Sequence, residues 1–249
     1  SGRFPAVARR CPIADVQVVP RSVRHTPIDG AFRRSIRSQG GAGEESRSLD
    51  VAVWKERLAG QLHRGHDSGI AHDADAQERS QKMLTITPDT GQFLVWMIRA
   101  HRIDRVLELG TSCGYSTLWI GSALAERKGV VVSVERQTWK QELARENLRQ
   151  SGLPPETVAL HLGEAEDFLK QCAPRSFDLI FLDCDRHQYA IWFPRLQEIL
   201  KPGRWLIADN ATSHPEETQG LEKVLQEAGW PWVVLPIGKG QLVAQAPAQ

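Results

Sequence analysis

The 249-residue sequence lacks any apolar run long enough to cross a membrane. The stretches FDLIFLD and WVVLPI are far shorter than the roughly 20 residues that a membrane-spanning helix needs. The four cysteines form no C-x-x-C pair, and the N-terminal segment has no apolar core of the signal-peptide type. We therefore expect a globular protein of the cytoplasm with no membrane partner. Cys113 and Cys184 are expected to be small buried thiols.

Acidic residues are scarce in the first part of the chain. Residues 1–48 hold nine arginines and four acidic residues, which gives this segment a net charge of +5. Because the whole chain has a net charge of +1, the remaining residues carry a net charge of −4. A mildly acidic remainder argues against a polyanion-binding surface there. The low apolar density of residues 1–48 predicts a disordered Arg/Ser/Gly-rich extension. An organellar targeting segment and a stretch of non-native sequence are the alternatives.

Apolar periodicity begins at Leu49. The segments LDVAVWKERLAGQLHR and TPDTGQFLVWMIRAHR have the pattern of amphipathic helices. Within the predicted domain, 49–249, we expect residues 49–103 to form a helical cover over the mouth of a core at 104–249. In that core five short apolar runs alternate with helical segments, and these predicted strands are RVLELG, VVVSVE, VALHLG, FDLIFLD and RWLIADN.

The order of these elements predicts the fold class. Strands that are apolar throughout and joined by helices are typical of a parallel sheet covered on both faces, which is a doubly wound α/β domain. The last two runs, WVVLPIG and QLVAQA, are separated only by Lys239 and Gly240. This spacing predicts a hairpin, so a C-terminal antiparallel strand ends a mostly parallel, seven-stranded sheet.

A turn of small residues follows the first predicted strand. In LELGTSCGYS, Gly110 and Gly114 lie at the carboxyl edge of the sheet, where such folds bind ligands. The turn lacks the third glycine of the dinucleotide fingerprint, which disfavours a nicotinamide oxidoreductase. Glu135 ends the second strand, where a carboxylate can accept hydrogen bonds from ribose hydroxyls, and residues 163–165 could flank an adenine ring. Ordinary turn geometry and an acidic helix start are the alternative interpretations.

Acidic residues follow the fourth and fifth strands. Asp183 and Asp185 lie after FL, and Asp209 and Asn210 end IADN, at neighbouring positions on the same sheet edge. Hard oxygen ligands of this kind suit Mg²⁺, Mn²⁺ or Ca²⁺ better than zinc. A magnesium-type site is therefore one interpretation, and charged strand ends in solvent are the other.

In their order and spacing, these motifs resemble the metal-dependent O-methyltransferases of the catechol and caffeoyl-CoA type. The resemblance spans about residues 80–246 and includes ITPDTGQFL, VLELGTSCGYSTL, FDLIFLDCDRHQY, the DN pair of IADN, and LPIGKGQLVA. It implies a Rossmann-like methyltransferase fold, S-adenosylmethionine as methyl donor, a divalent cation, a small acceptor with vicinal oxygens, and a possible homodimer.

The resemblance also implies roles for individual residues. The methyl-donor site would be lined by Ile86, Glu108, Gly110, Thr111, Ser116, Glu135 and Ala165, with Ser116 near the methionine carboxylate. The metal would be held by Asp183, Asp209 and Asn210, and Asp183 would also approach the donor's amino group. Ile86 and Ala165 are assigned through the resemblance alone, and plain packing is their alternative role.

One residue departs from the family pattern. The family commonly has a lysine three residues after the first metal aspartate, and this chain has Arg186 there. Arginine stays protonated and cannot serve as a general base. We therefore predict that Asp183 and Arg186 are the catalytic residues, with Arg186 acting electrostatically on the acceptor oxygen. The alternative for Arg186 is a surface ion pair with Asp185. His187 is the alternative base. His214 is predicted to be an ordinary loop residue, and contact with a substrate is its alternative role.

Several functions remain open at this stage. The leading hypothesis is a small-molecule O-methyltransferase. A second keeps the chemistry and takes a hydroxyuridine of transfer RNA as the acceptor, against which the acidic core argues. A domain that binds the donor without catalysis is a third, because Arg186 departs from the pattern.

Overall fold

The computed structural model of the chain describes residues 85–248. The predicted extension at 1–48 and the predicted helix that begins at Leu49 lie outside the described residues. Of the predicted helical cover at 49–103, the part that can be compared is the helix α1, Pro88–Ala100.

Seven strands form a single sheet in the order β3-β2-β1-β4-β5-β7-β6. Strands β1 to β5 are mutually parallel, and β7 runs antiparallel to both β5 and β6. The predicted doubly wound α/β fold with a closing antiparallel hairpin is thus confirmed. The strands are β1 Arg105–Leu109, β2 Val130–Glu135, β3 Val158–Leu162, β4 Phe177–Leu182, β5 Leu200–Asp209, β6 Trp232–Leu235 and β7 Gln241–Gln245.

Helices cover both faces of the sheet, because side chains that alternate along each buried strand point to opposite sides. Val106 packs in a core with residues of the first three helices, whereas Leu107 packs in a second core with residues of the last three. The helices after α1 are α2 Tyr115–Ala125, α3 Thr138–Gln150, α4 Ala165–Gln171, α5 Tyr189–Ile199 and α6 Pro215–Glu227. Two short 3₁₀ turns lie at Pro155–Thr157 and Arg186–Gln188.

Strand β5 differs from its prediction in length. The motif RWLIADN predicts a start at Arg204, but the strand begins at Leu200, which pairs with Phe177 of β4. Within this segment Gly203 has a φ of +70°, a conformation typical of a turn. Strand β4 pairs with Leu200 and again with Trp205, and residues 201–204 lie at the register shift between these two pairs.

Helix α1 lies against α2 on one face of the sheet. Thr87 caps its N-terminus by accepting a hydrogen bond from the Thr90 backbone at 3.3 Å, and Pro88 occupies its first turn. This end of α1 reaches the carboxyl edge of the sheet, where Thr90 accepts a hydrogen bond from Gln241. No helix within residues 85–248 is both long enough and apolar enough to cross a membrane.

Candidate functional site

The polar residues singled out in the sequence lie at the carboxyl ends of β1, β2, β4 and β5. The strand order reverses between β1 and β4, because β2 continues the sheet on one side and β5 on the other. Ligands of doubly wound sheets bind at such a switch point. The candidate site is therefore built on the turns that leave these four strands.

The turn after β1 is held against the end of β4. Gly110 has a φ of +106°, and a Cβ atom there would lie 2.1 Å from the backbone oxygen of Asp183. A side chain at this position is excluded by both the backbone angle and the contact. The turn ends at Gly114, which precedes α2 with a φ of +85° and provides no side-chain cap.

The start of α2 is suited to an anionic group. The first backbone N–H groups of a helix have no partner within it, and they favour negative charge. Ser116, the second residue of α2, is nearly buried beside them. The predicted position of Ser116 near a carboxylate is compatible with this arrangement and stays a prediction.

Glu135 organises two turns at once. Its Oε2 accepts a hydrogen bond from the backbone N–H of Ser112 at 2.9 Å, and its Oε1 accepts one from that of Gln137 at 2.9 Å. The sequence interpretation assigned Glu135 to the ribose and missed this structural role. Since each carboxylate oxygen has two lone pairs, both can still accept a hydroxyl from a ligand.

Glu108 lies on β1 below the turn and is completely buried. Its Oε2 accepts hydrogen bonds from the hydroxyls of Thr117 and Ser133, each at 2.5 Å. Ser133 is hydrogen-bonded in turn to Thr111 at 2.5 Å. Burial raises the pKa of Glu108 to about 7, against the opposing effect of the hydroxyls of Ser116, Ser133 and Thr117. This hydroxyl network was not apparent in the sequence, because its members lie on different elements.

Asp183, Asp209 and Asn210 come together and are called the acidic cluster below. The Nδ2 of Asn210 donates to Oδ1 of Asp183 and to Oδ2 of Asp209, at 3.3 Å in each case. Asn210 adopts a φ of +72°, which is uncommon outside glycine. Burial and the neighbouring Asp209 raise the pKa of Asp183 to about 7, and burial also raises the pKa of Asp209.

The acidic cluster fits a hard divalent cation. Two carboxylates and an amide oxygen are ligands that Mg²⁺ and Mn²⁺ accept, and a cation would relieve the repulsion that raises the pKa of Asp183. The Asn210 amide would need to turn its oxygen toward the ion. The cluster has only two carboxylates, and between residues 85 and 248 no three or more His, Cys, Asp or Glu side chains come together as a metal-binding group, so the third protein ligand would have to be the Asn210 amide. Asp185, considered with the cluster in the sequence, is exposed.

Arg186 pairs with Glu217, not with Asp185. Its Nε donates to Oε2 of Glu217 at 2.5 Å, and only 11% and 12% of the two side chains are exposed. Glu217 lies in the first turn of α6, where a negative charge is favoured by the helix dipole. The charge of Arg186 opposes the rise in the pKa of both Asp183 and Asp209. The alternative of a surface ion pair with Asp185 is therefore wrong.

The remaining predicted residues are placed as follows. Ile86 is buried in the core formed with α1 to α3, and Ala165 begins α4 and packs against the opposite core. His187 is exposed. Burial lowers the pKa of His214, whose Nδ1 lies 2.9 Å from Oγ of Ser213. Ile86 and Ala165 thus pack in the two cores, and their assignment to the methyl-donor site stays a prediction.

The two cysteines beside the site are free thiols. Burial raises the pKa of Cys113 to about 11 and that of Cys184 to about 12. Both therefore stay protonated near neutral pH. The backbone N–H of Cys184 donates to the hydroxyl of the buried Tyr189 at 2.9 Å, which fixes the turn after Asp183.

Two residues of the closing hairpin were missed in the sequence. Gln241 of β7 is paired with Asp209 of β5 and donates a hydrogen bond to its carboxylate. Lys239, in the hairpin turn, opposes the rise in the pKa of both Asp183 and Asp209. The backbone oxygen of Lys239 also accepts hydrogen bonds from the N–H and hydroxyl of Thr212, at 3.1 and 2.7 Å. The register of β7 on β5 creates these contacts, and no local motif signals them.

Comparison with known proteins finds similar sequences among O-methyltransferases. A catechol O-methyltransferase from Niastella koreensis is 30% identical over 147 residues, which cover 58% of this chain and 66% of that protein. A catechol O-methyltransferase from Mycobacterium tuberculosis is 31% identical over 147 residues, which cover 59% and 66%. The matched segment thus spans slightly less than two thirds of the length of either relative.

The fold is shared with a solved O-methyltransferase from Bacillus cereus in complex with SAH. The TM-score is 0.58 at 23% sequence identity, and the match covers 86% of this chain and 95% of that one. A sequence model of the O-methyltransferase family matches residues 72–225. This match covers more than half of the chain and includes Gly110, Glu135 and the acidic cluster. The chain belongs to the O-methyltransferase family.

Proposed function

We propose that this chain transfers the methyl group of S-adenosylmethionine to one of two neighbouring oxygens of a small acceptor, with the help of a divalent cation. The observation that carries this proposal is the contact between the glycine turn and the acidic cluster. A Cβ atom on Gly110 would lie 2.1 Å from the backbone oxygen of Asp183. A donor on the turn and an oxygen at the cluster would therefore be close neighbours, as a direct transfer requires.

The choice of donor is supported by the residues of the turn and by the relatives. Glu135 offers two carboxylate oxygens for ribose hydroxyls, and the uncapped start of α2 suits the donor's carboxylate. The related structure from Bacillus cereus is a complex with SAH, the product that S-adenosylmethionine leaves after methyl transfer. Two relatives are named as catechol O-methyltransferases, which supports an acceptor with vicinal oxygens.

Each residue of the site would have a separate role in the reaction. Asp183, Asp209 and Asn210 would hold the cation, which supplies a lowered pKa for a bound acceptor hydroxyl. The acceptor oxygen forms a bond to the methyl carbon as the bond from that carbon to sulfur breaks, and the hydroxyl proton leaves to solvent. The products are a methyl ether and S-adenosylhomocysteine.

Arg186 would act through its charge. Its ion pair with Glu217 holds the guanidinium in place between the turn after β4 and helix α6. A fixed positive charge there favours the ionised form of Asp183 and of an acceptor oxygen nearby. Because arginine keeps its proton, it would stabilise the oxygen anion without accepting the proton.

The proposal is tested by a methyl-transfer assay with labelled S-adenosylmethionine. Catechol and bulk transfer RNA are offered separately, each with Mg²⁺ and with EDTA. We expect methylation of catechol that EDTA abolishes. Activity that EDTA leaves unchanged would remove the cation from the proposal. Methyl incorporation into RNA alone would replace the small acceptor with a nucleic acid.

A matched pair of variants distinguishes the loss of a charge within the acidic cluster from the loss of a charge close to it. Asp209→Asn removes one charge from the cluster and should lower kcat/KM by more than about 100-fold, because loss of a residue that only orients a metal ligand already costs about 10- to 100-fold. Asp185→Asn makes the same change at an exposed position two residues from Asp183 and should leave activity within about twofold. Equal activity in the two variants would contradict a catalytic role for the cluster.

A further inference from the structure

Gln241 is a fully buried polar side chain next to the acidic cluster. It lies on β7, and the antiparallel register pairs it directly with Asp209 at the end of β5. Residues paired across neighbouring strands have side chains on the same face of the sheet. Gln241 is thus brought to the cluster from the side opposite to β4, which carries Asp183.

The amide nitrogen of Gln241 has three acceptors. Nε2 donates to Oδ1 of Asp209, to the hydroxyl oxygen of Thr90 at 3.1 Å and, at a longer 3.4 Å, to the backbone oxygen of Ile237. A carboxylate accepts hydrogen bonds and cannot donate them, so the amide must present its nitrogen to Asp209. Thr90 is buried and lies in the first turn of α1, so it anchors the amide from a different element.

The amide oxygen of Gln241 has no hydrogen-bond partner in the part of the chain that the structure describes. A buried amide that satisfies only its nitrogen has a cost in stability, because its oxygen is removed from water without a hydrogen bond in exchange. The hydrogen bond to Asp209 therefore accounts for the presence of a glutamine better than packing does.

The two carboxylate oxygens of Asp209 consequently have different partners. Oδ1 is held by Gln241, whereas Oδ2 faces the Nδ2 of Asn210 at 3.3 Å, on the side of Asp183. A carboxylate anchored through one oxygen has its other oxygen fixed in direction. Metal ligands are commonly oriented in this way by a hydrogen bond from a neighbouring residue.

We propose that Gln241, anchored by Thr90, is a positioning residue that directs one oxygen of Asp209 to a divalent cation at the acidic cluster. This proposal rests on the cation of the proposed function and adds to it the residues that set its affinity. Among the three ligands, Gln241 donates a hydrogen bond only to Asp209. Its loss should therefore lower the affinity for the cation and leave the affinity for the methyl donor unchanged.

The test compares binding of Mn²⁺, measured by electron paramagnetic resonance, with binding of S-adenosylhomocysteine, measured by calorimetry in EDTA. Gln241→Met keeps the length of the side chain and removes its donor. We expect its Mn²⁺ affinity to fall 10- to 100-fold, as for other residues that orient metal ligands, and its S-adenosylhomocysteine affinity to stay within about twofold. Gln245→Met is the matched control on the same strand, since Gln245 donates to the backbone of Gly203 instead.

Thr90→Val provides a second variant that retains Gln241. It removes the hydroxyl that anchors the amide, and a several-fold loss of Mn²⁺ affinity with unchanged S-adenosylhomocysteine binding would support the proposal. Wild-type Mn²⁺ affinity in Gln241→Met would overturn it while leaving the cation site intact. A wild-type protein that binds no Mn²⁺ would overturn the cation of the proposed function as well. Loss of both affinities in both variants would refute a role specific to the cation.

Discussion

Replacing Glu108 with glutamine tests whether the buried carboxyl group below the glycine turn holds a proton at neutral pH. Burial raises the pKa of Glu108 to about 7 from an ordinary value of 4.5, although two hydroxyls donate to its Oε2. The folded protein therefore binds this proton more tightly than the unfolded chain does. The contribution of Glu108 to stability is greatest at low pH and decreases as the pH rises toward 7.

The size of the effect follows from the difference in pKa. Each unit between the folded and unfolded values is worth about 1.4 kcal/mol, so a shift from 4.5 to about 7 destabilises the fully ionised folded protein by about 3 kcal/mol. About 2.5 kcal/mol of this change falls between pH 5 and pH 8. Glu108→Gln has no proton to lose in this range. Its free energy of unfolding, minus that of the wild type, should rise by about this amount.

Urea unfolding of both proteins at several pH values, without donor and in EDTA, measures this difference. Subtracting the wild-type curve cancels most of the titration of Asp183 and Asp209, since the charge of Glu108 is only a minor cause of the raised pKa of Asp183. Glu227→Gln, an exposed carboxylate of α6, is the control and should give a difference that does not change with pH. A Glu108→Gln difference that is equally flat would show that Glu108 is ionised throughout, and would refute the reasoning from burial.

Three further predictions concern the turns of the site. Glu217→Ala should destabilise the protein by about 3 kcal/mol in urea unfolding, because it leaves the nearly buried Arg186 unpaired. A double-mutant cycle with Arg186→Met should show a coupling free energy above about 1 kcal/mol. Gly110→Ala should lower the melting temperature steeply, with a loss above about 3 kcal/mol, since its Cβ would lie 2.1 Å from the Asp183 oxygen; a variant of wild-type stability would contradict the contact. Glu135→Gln should weaken S-adenosylhomocysteine binding about tenfold or more in calorimetry, and unchanged affinity would remove Glu135 from the ribose site.

Much of the fold could be predicted because it depends on local patterns. Runs of five or six apolar residues between helical segments can be buried only as central strands of a covered parallel sheet, and β1 to β4 lie where the runs predict them. The start of β5 could not be predicted in this way, because Leu200 pairs with β4 ahead of a register shift that contains the turn residues KPG. The hairpin was visible because only two residues separate its apolar runs.

The candidate site divides in the same manner. Parallel strands bring their carboxyl ends to one edge, so the sequence alone predicted that Gly110, Glu135, Asp183 and Asp209 would lie at one edge of the sheet. It could not predict that Asp185, only two residues from Asp183, would be exposed. The direction of a side chain after a strand depends on the turn, and here Tyr189 fixes that turn through the backbone of Cys184.

Local patterns along the chain set the order of the elements, the sheet edge at which the site lies, and the types of residue present there. The tertiary structure decided which of them act together. The pairs Arg186 with Glu217 and Asp209 with Gln241 join residues about 30 positions apart, and Thr90 reaches Gln241 across 151 positions. Such contacts depend on the register and packing of whole elements, which local apolar patterns do not encode.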